Sequence, residues 1–160
     1  MSDLEKINIY VPGHIGLLLD SDASMFEILK RDGQTINRNR FLSMLILGYY
    51  NSYVTECQNS YDLIVAELIN HGVSRDRSYE IGDTILKKIV LPEVPSRKGK
   101  NPTKLSLKPT KETEGLIISI MNDLGGEDYI SQYFCRLLMS YCEKPFSERE
   151  QIIFRDNYEL

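Results

Sequence analysis

Two short stretches of the chain alternate strictly between polar and apolar residues: Lys6-Ile7-Asn8-Ile9-Tyr10-Val11-Pro12 and Lys104-Leu105-Ser106-Leu107-Lys108-Pro109. A period of two puts successive side chains on opposite faces of a strand, so each stretch predicts a strand with one aliphatic and one polar face. The pattern then switches to helical spacing. Pro12-Gly13 opens a helix carrying Ile15, Leu18 and Leu19. The Asp20-Ser21-Asp22 cluster is expected to interrupt it and cap a further short helix with Met25, Phe26 and Leu29, ending at Asp32-Gly33. A long helix over residues 37–53 shows Phe41, Leu42, Leu45, Ile46, Tyr49, Tyr50 and Tyr53 on one stripe. Tyr61, Ile64, Val65 and Leu68 predict another helix with a stop at His71-Gly72, and Ile81, Ile85, Leu86 and Ile89 one that ends before Pro92. After the second strand come a helix with Leu116, Ile117, Ile120, Met121 and Leu124, a Gly125-Gly126 turn, and a helix over residues 128–143. Ser147-Glu148-Arg149-Glu150 has capping-box spacing ahead of Ile152, Ile153, Phe154 and Tyr158. That last helix is still apolar where the sequence stops, and is expected to lead into a further domain or onto a partner.

The strand-then-helix pattern is therefore written twice. The strands are offset by 98 positions and the later helices by 92, with Asn39-Arg40-Phe41-Leu42, Leu45-Ile46 and Tyr49 matching Ser131-Gln132-Tyr133-Phe134, Leu137-Leu138 and Tyr141. Six residues are missing from the second intervening segment. Strand, helix, helix in this order is the signature of the ribbon-helix-helix DNA-binding fold. The expected fold class is mainly α with a short two-stranded antiparallel ribbon, as duplicated ribbon-helix-helix units in one chain. The expected division is a first unit at 1–55, a two-helix spacer at 56–91, a basic Pro-rich linker at 92–103, a second unit at 104–144, and a C-terminal helix at 145–160. Whether the ribbon closes within one chain or between two stays open at this point.

Length and composition narrow the class. The 160 residues suit one domain with a proper core, and 42% hydrophobic with 26% charged content is ordinary for a globular protein. No apolar run approaches a membrane span, and the first residues lack the pattern of a signal peptide. The net charge of −4 argues against nucleic acid as a partner until its distribution is considered. Arg97, Lys98, Lys100, Lys104, Lys108 and Lys111 form a run without an acid, and a local positive field can hold phosphate on an acidic protein. Cys57, Cys135 and Cys142 have no ligand spacing and read as reduced cytosolic thiols. His14 and His71 have no partner at metal or triad spacing, so no enzyme, metal site or cofactor is expected. Most tyrosines lie on helical apolar stripes, which reads as core with wet hydroxyls rather than as a stacking platform.

The candidate chemistry sits on the polar strand faces. If Ile7, Ile9, Val11, Leu105, Leu107 and Pro109 face the core, then Lys6, Asn8, Tyr10, Lys104, Ser106 and Lys108 face outward. A two-stranded ribbon fits the major groove, where Asn can pair with adenine, Lys can donate to guanine acceptors and Ser can serve either way. The bland alternative is two amphipathic strands whose polar faces meet water. The N-terminus of the second helix, with Asn37, Arg38, Asn39 and Arg40, suits a phosphate, because exposed N–H groups and the helix dipole add to the side-chain charge. Its counterpart in the second unit, Gly126-Glu127-Asp128-Tyr129, carries two carboxylates and is expected to grip phosphate poorly.

The stretches Ile7 to Pro12, Arg40 to Tyr50, Leu105 to Glu114 and Tyr129 to Tyr141, with Ser147-Glu148-Arg149-Glu150-Gln151-Ile152-Ile153-Phe154, resemble the N-terminal region of WYL-domain regulators from Firmicutes. That group includes the accessory proteins found beside type VI-D CRISPR effectors. The resemblance implies a transcription-factor-like DNA-binding domain, usually dimeric, and for the CRISPR-linked members association with RNA or an effector; the expected state is a cytoplasmic homodimer on double-stranded DNA. No WYL domain is present, so ligand sensing is not implied. The expected function is a sequence-specific double-stranded DNA-binding module. The alternatives are a protein-interaction or dimerisation module, and an RNA-binding module.

Overall fold

The computed structural model describes residues 4–90, 102–124 and 129–154. In chain order the elements are β1 (Ile7–Val11), α1 (Gly13–Met25), α2 (Arg38–Asn70), α3 (Arg75–Val90), β2 (Thr103–Leu107), α4 (Lys111–Leu124), α5 (Ile130–Cys142) and α6 (Phe146–Phe154). The two strands form one antiparallel sheet in register Ile7↔Leu107, Asn8↔Ser106, Ile9↔Leu105, Tyr10↔Lys104 and Val11↔Thr103. The ribbon thus closes within a single chain. Two strands alone are marginal in water, and this pair is held by what its inner face covers. Ile9, Val11, Leu105 and Leu107 are fully buried in the same core as α1, the first half of α2, α4 and α5. Each contributes about 1.5–3 kcal/mol by burial, enough together to fix the register, because a one-residue slip would expose all four.

Helix α1 starts at the expected place, where the Pro12 carbonyl accepts from Ile15 and Gly16 at 3.0 and 3.2 Å. It then runs straight through the Asp20-Ser21-Asp22 cluster. The expected interruption and second short helix are absent. Asp20 accepts a two-pronged pair from Arg38 (3.0 and 2.7 Å), and Asp22 is turned into the protein, so neither is left to cap a new helix. The chain instead leaves α1 through a loop closed by a Leu29↔Ile36 bridge. In that loop Asp32 accepts from the backbone of Gln34 and Thr35 and from the Thr35 hydroxyl, which holds its carboxyl down at about pKa 2. Gly33 takes φ +73, a left-handed turn position that costs glycine nothing.

Helix α2 is longer than its pattern suggests. Helices expected over 37–53 and around 61–68 are one continuous helix, crossing the expected unit boundary at 55 without a break. The stretch 54–60 has little apolar periodicity, but it also holds no Gly or Pro to stop the helix. The stop at His71-Gly72 is as expected: Gly72 has φ +91, and Val73 and Gly72 donate to the Leu68 and Ile69 carbonyls at 3.0 Å each, a Schellman end. Helix α3 folds back on the far half of α2, where Gly82 lets it close on Val65 and Tyr61; an added Cβ would sit 2.9 Å from Val65 Cγ2. Helix α5 runs through the core with Tyr133, Phe134, Leu137, Leu138 and Tyr141 buried. Helix α6 begins at Phe146, so Ser147 lies inside its first turn and the expected capping box does not form. The Pro145 carbonyl accepts the first two bonds, from Glu148 and Arg149 (3.0 Å each). Among the described residues no helix is long and apolar enough to cross a membrane.

Candidate nucleic-acid interface

Strand alternation sets the outer face of the ribbon. Lys104 is exposed and Asn8, Tyr10 and Ser106 are half-buried, with Lys6 and Lys108 exposed just beyond the ladder. These six side chains are the sequence-expected set, and the pairing brings them to one surface. Its centre is the pair Asn8 and Ser106, where Ser106 Oγ donates to Asn8 Oδ1 at 3.3 Å. On one side of that centre Tyr10 stands opposite Lys104. On the other side the same register, continued past Ile7↔Leu107, brings Lys6 toward Lys108. Pro109 is buried, as expected.

The N-terminus of α2 lies against the Lys108 end. Asn39 clamps the main chain there: its Nδ2 donates to the Lys108 carbonyl (3.2 Å), and its Oδ1 accepts from the Lys108 N–H (2.7 Å). Asn37 caps α2 by accepting from the Arg40 N–H at 3.1 Å. Arg38 is committed to Asp20, 2.7 Å away. Three of the four residues expected to meet phosphate here therefore spend their polar groups within the fold. Arg40 alone is exposed, with no ion pair among the described residues. A shallow groove of about 380 Å³ beside it is lined by Asn39, Ser43, Met44, Leu47, Thr110 and Glu112. The Glu112 carboxyl is pulled below its ordinary value by its own backbone N–H and the Thr110 hydroxyl, so it stays anionic and opposes phosphate at that spot.

Three residues separate β2 from α4, whose start is fixed by a reciprocal cap. Thr110 N–H donates to Thr113 Oγ1 at 2.8 Å, and Thr113 N–H donates back to Thr110 Oγ1 at 3.4 Å. Exposed Lys111 extends the basic edge from Lys108. A depression of about 630 Å³ runs beside β1, lined by Leu4, Lys6, Asn8, Tyr10, Ile117 and Ile130 among others. The basic run Arg97 to Lys100 and the acidic Glu127-Asp128 end lie outside the described residues. No family model, curated protein or solved structure matches this chain. The resemblance to WYL-domain regulators therefore rests on the quoted motifs alone.

Two residues have positioning roles that the sequence pattern did not assign, although Asn39 stood out as a phosphate candidate. Gly16 lets α1 come against the end of the ribbon, since a Cβ there would lie 2.8 Å from the Thr103 side chain. A glycine inside a helical pattern was the available signal. Asn39 carried no such signal, because its partner is 69 positions away. Burial raises all three thiols, Cys142 to about 12, which disfavours the thiolate form.

Proposed function

We propose that this chain is a sequence-specific double-stranded DNA-binding module of a cytoplasmic transcriptional regulator, built from two ribbon-helix-helix units fused in tandem. The observation that carries the reading is the register. Under the sequence repeat Asn8 corresponds to Ser106, and these two residues stand directly opposite each other. A ribbon made by two copies of one unit has such a self-facing pair at its two-fold axis and nowhere else. Two further coincidences support it. Helix starts obey the same offsets, with Gly13 and Lys111 98 apart, and Arg38 and Ile130 92 apart. Tyr49 and Tyr141, equivalent under the helix offset, pack edge to face with ring centroids 6.5 Å apart.

The chemistry follows from the outer face. A ribbon two strands wide enters the major groove, where ammonium, amide and hydroxyl groups meet base edges and flanking lysines meet phosphate. Because both strands come from one chain, no second copy is needed to complete the reading surface. A single-stranded RNA platform is less well supported: Tyr49, Tyr53, Tyr133 and Tyr141, which stacking would need on the surface, are buried. A docking role keeps one favourable observation. The hairpin of α3 and the far half of α2 exposes Leu63 (68%), Ile69 and Tyr79, an apolar surface suited to an effector or a second copy.

The test is a fluorescence-anisotropy titration of a labelled mixed-sequence duplex. The chain should bind at about micromolar concentration or tighter in low salt, and each lysine on phosphate should add about −0.9 to the log–log salt slope. Replacing Lys6, Lys104 and Lys108 together with Ala should weaken binding and flatten the slope by up to about 2.7. Duplex affinity unchanged in that triple variant, or no retention of duplex by the wild-type chain, would refute the proposal.

A further inference from the structure

We infer that the ribbon reads a non-palindromic duplex, with guanines concentrated in the half-site under its Lys6 and Lys108 end. This rests on the duplex-DNA reading above and adds the form of the target. A ribbon assembled from two identical chains carries the same side chains in both halves, so its site is a palindrome. Fusion removes that constraint, and here the outward residues have diverged. Lys6 and Lys104 are equivalent and alike, but Asn8 corresponds to Ser106 and Tyr10 to Lys108.

The register sorts these differences by half. One end presents Lys6 and Lys108, two exposed ammonium groups that can only donate, and guanine offers two acceptors, O6 and N7, in the major groove. Arg40 adds charge at the same end, because Asn39 ties the start of α2 to the Lys108 main chain. The other end presents Lys104 opposite Tyr10, whose ring suits the methyl group of thymine better than a purine acceptor. At the centre one lone pair of Asn8 Oδ1 is taken by the Ser106 hydroxyl at 3.3 Å. Amide and hydroxyl therefore form one asymmetric unit, which cannot offer the same group to both strands of a palindrome.

The experiment is selection of bound sequences from a random duplex pool, with the whole chain as bait. A parallel selection uses the double variant Asn8→Ser, Tyr10→Lys, which makes the outward faces of the two halves chemically alike. Both positions lie on the outer face, and circular dichroism melts check that the variant is folded. The wild-type chain should enrich a motif with no two-fold symmetry and guanines on one side. Replacing the guanine-rich half by a copy of the other should weaken binding by roughly ten-fold or more. The double variant should enrich a palindromic motif with guanines on both sides. A palindrome from the wild-type chain, or a double-variant motif as asymmetric as the parent's, overturns this inference and leaves duplex binding intact. Duplex retained without any enriched motif also overturns it. No retention of duplex at all overturns the duplex reading, and this inference with it.

Discussion

Replacing Arg149 with Met tests how α6 is held to the body of the fold. Asp22 on α1 is only 2% exposed and accepts from Tyr141 Oη at 2.7 Å and from Arg149 Nε and Nη2 at 2.8 and 3.3 Å. Arg149 Nη1 also donates to the Lys144 carbonyl at 2.7 Å, and the Arg149 side chain is 13% exposed. Methionine keeps much of the volume and loses every donor, leaving a buried carboxylate with one phenol. Breaking a buried pair from one side costs about 3–5 kcal/mol, since the remaining charge is stranded. The surviving Tyr141 bond argues for the lower end, about 3 kcal/mol, or roughly 6–12 °C in melting temperature for a chain of this size. Asp22→Asn should cost less, about 1–2 kcal/mol, because the amide still accepts from Tyr141 and Arg149 can reach water along its exposed edge. In the double variant the stranded charge is gone, so its cost should fall below the sum of the two single changes. Urea unfolding followed by circular dichroism measures all four species. A loss below about 0.5 kcal/mol for Arg149→Met, or strict additivity in the cycle, would refute this account of the α1–α6 tie.

Gly48→Ala should be among the most damaging small substitutions, because its Cβ would lie 2.1 Å from the Ile152 carbonyl oxygen, a backbone atom that moves only with α6. A loss of about 3 kcal/mol in thermal or urea unfolding is expected, and an unchanged midpoint would contradict the close α2–α6 packing. Asn39→Ala removes both bonds to the Lys108 main chain and should cost about 1 kcal/mol, with faster amide exchange at Lys108 as its local signature. At high pH, Tyr49, Tyr53, Tyr133 and Tyr141 hold their protons well above the ordinary value of 10.0, chiefly through burial. Their contribution is fully present below pH 10 and is lost above it, at about 1.4 kcal/mol per unit for each tyrosine, as the unfolded chain releases protons that the folded chain keeps. Phenolate absorbance from these four should therefore appear only with unfolding. Titration of all ten tyrosines near pH 10 with the fold intact would contradict their burial.

What could be read from the chain follows the range of the interactions. The strand faces were legible because alternation is local: Ile7, Ile9, Val11, Leu105 and Leu107 point inward and the polar set outward, as their spacing predicts. Pairing within one chain was not legible, since the same pattern serves two chains equally well. The Asp20–Asp22 cluster looks like a cap because caps are local. Its true partners, Arg38 and Arg149, lie 18 and 127 positions from the aspartates they bind. The break expected near residue 55 came from a lapse in apolar periodicity, but periodicity reports burial and not helicity. Past Tyr53 only Val65 of α2 is buried, and beyond the Glu56–Lys144 pair and Cys57 the helix goes on with α3 beside it and little core to face. At the candidate interface the residue types were legible and their availability was not. Arg38 and Asn39 offered plausible phosphate contacts until long-range partners claimed their side chains.

Under the proposed function, this chain meets duplex DNA through the outer face of its own ribbon. Amide chemical-shift mapping on stepwise addition of a duplex tests it most directly. The largest changes should fall at residues 6–10 and 104–108, with smaller ones at Arg40 and Lys111. Changes confined to the hairpin of α3 and the far half of α2, or a spectrum that duplex leaves untouched, would contradict it.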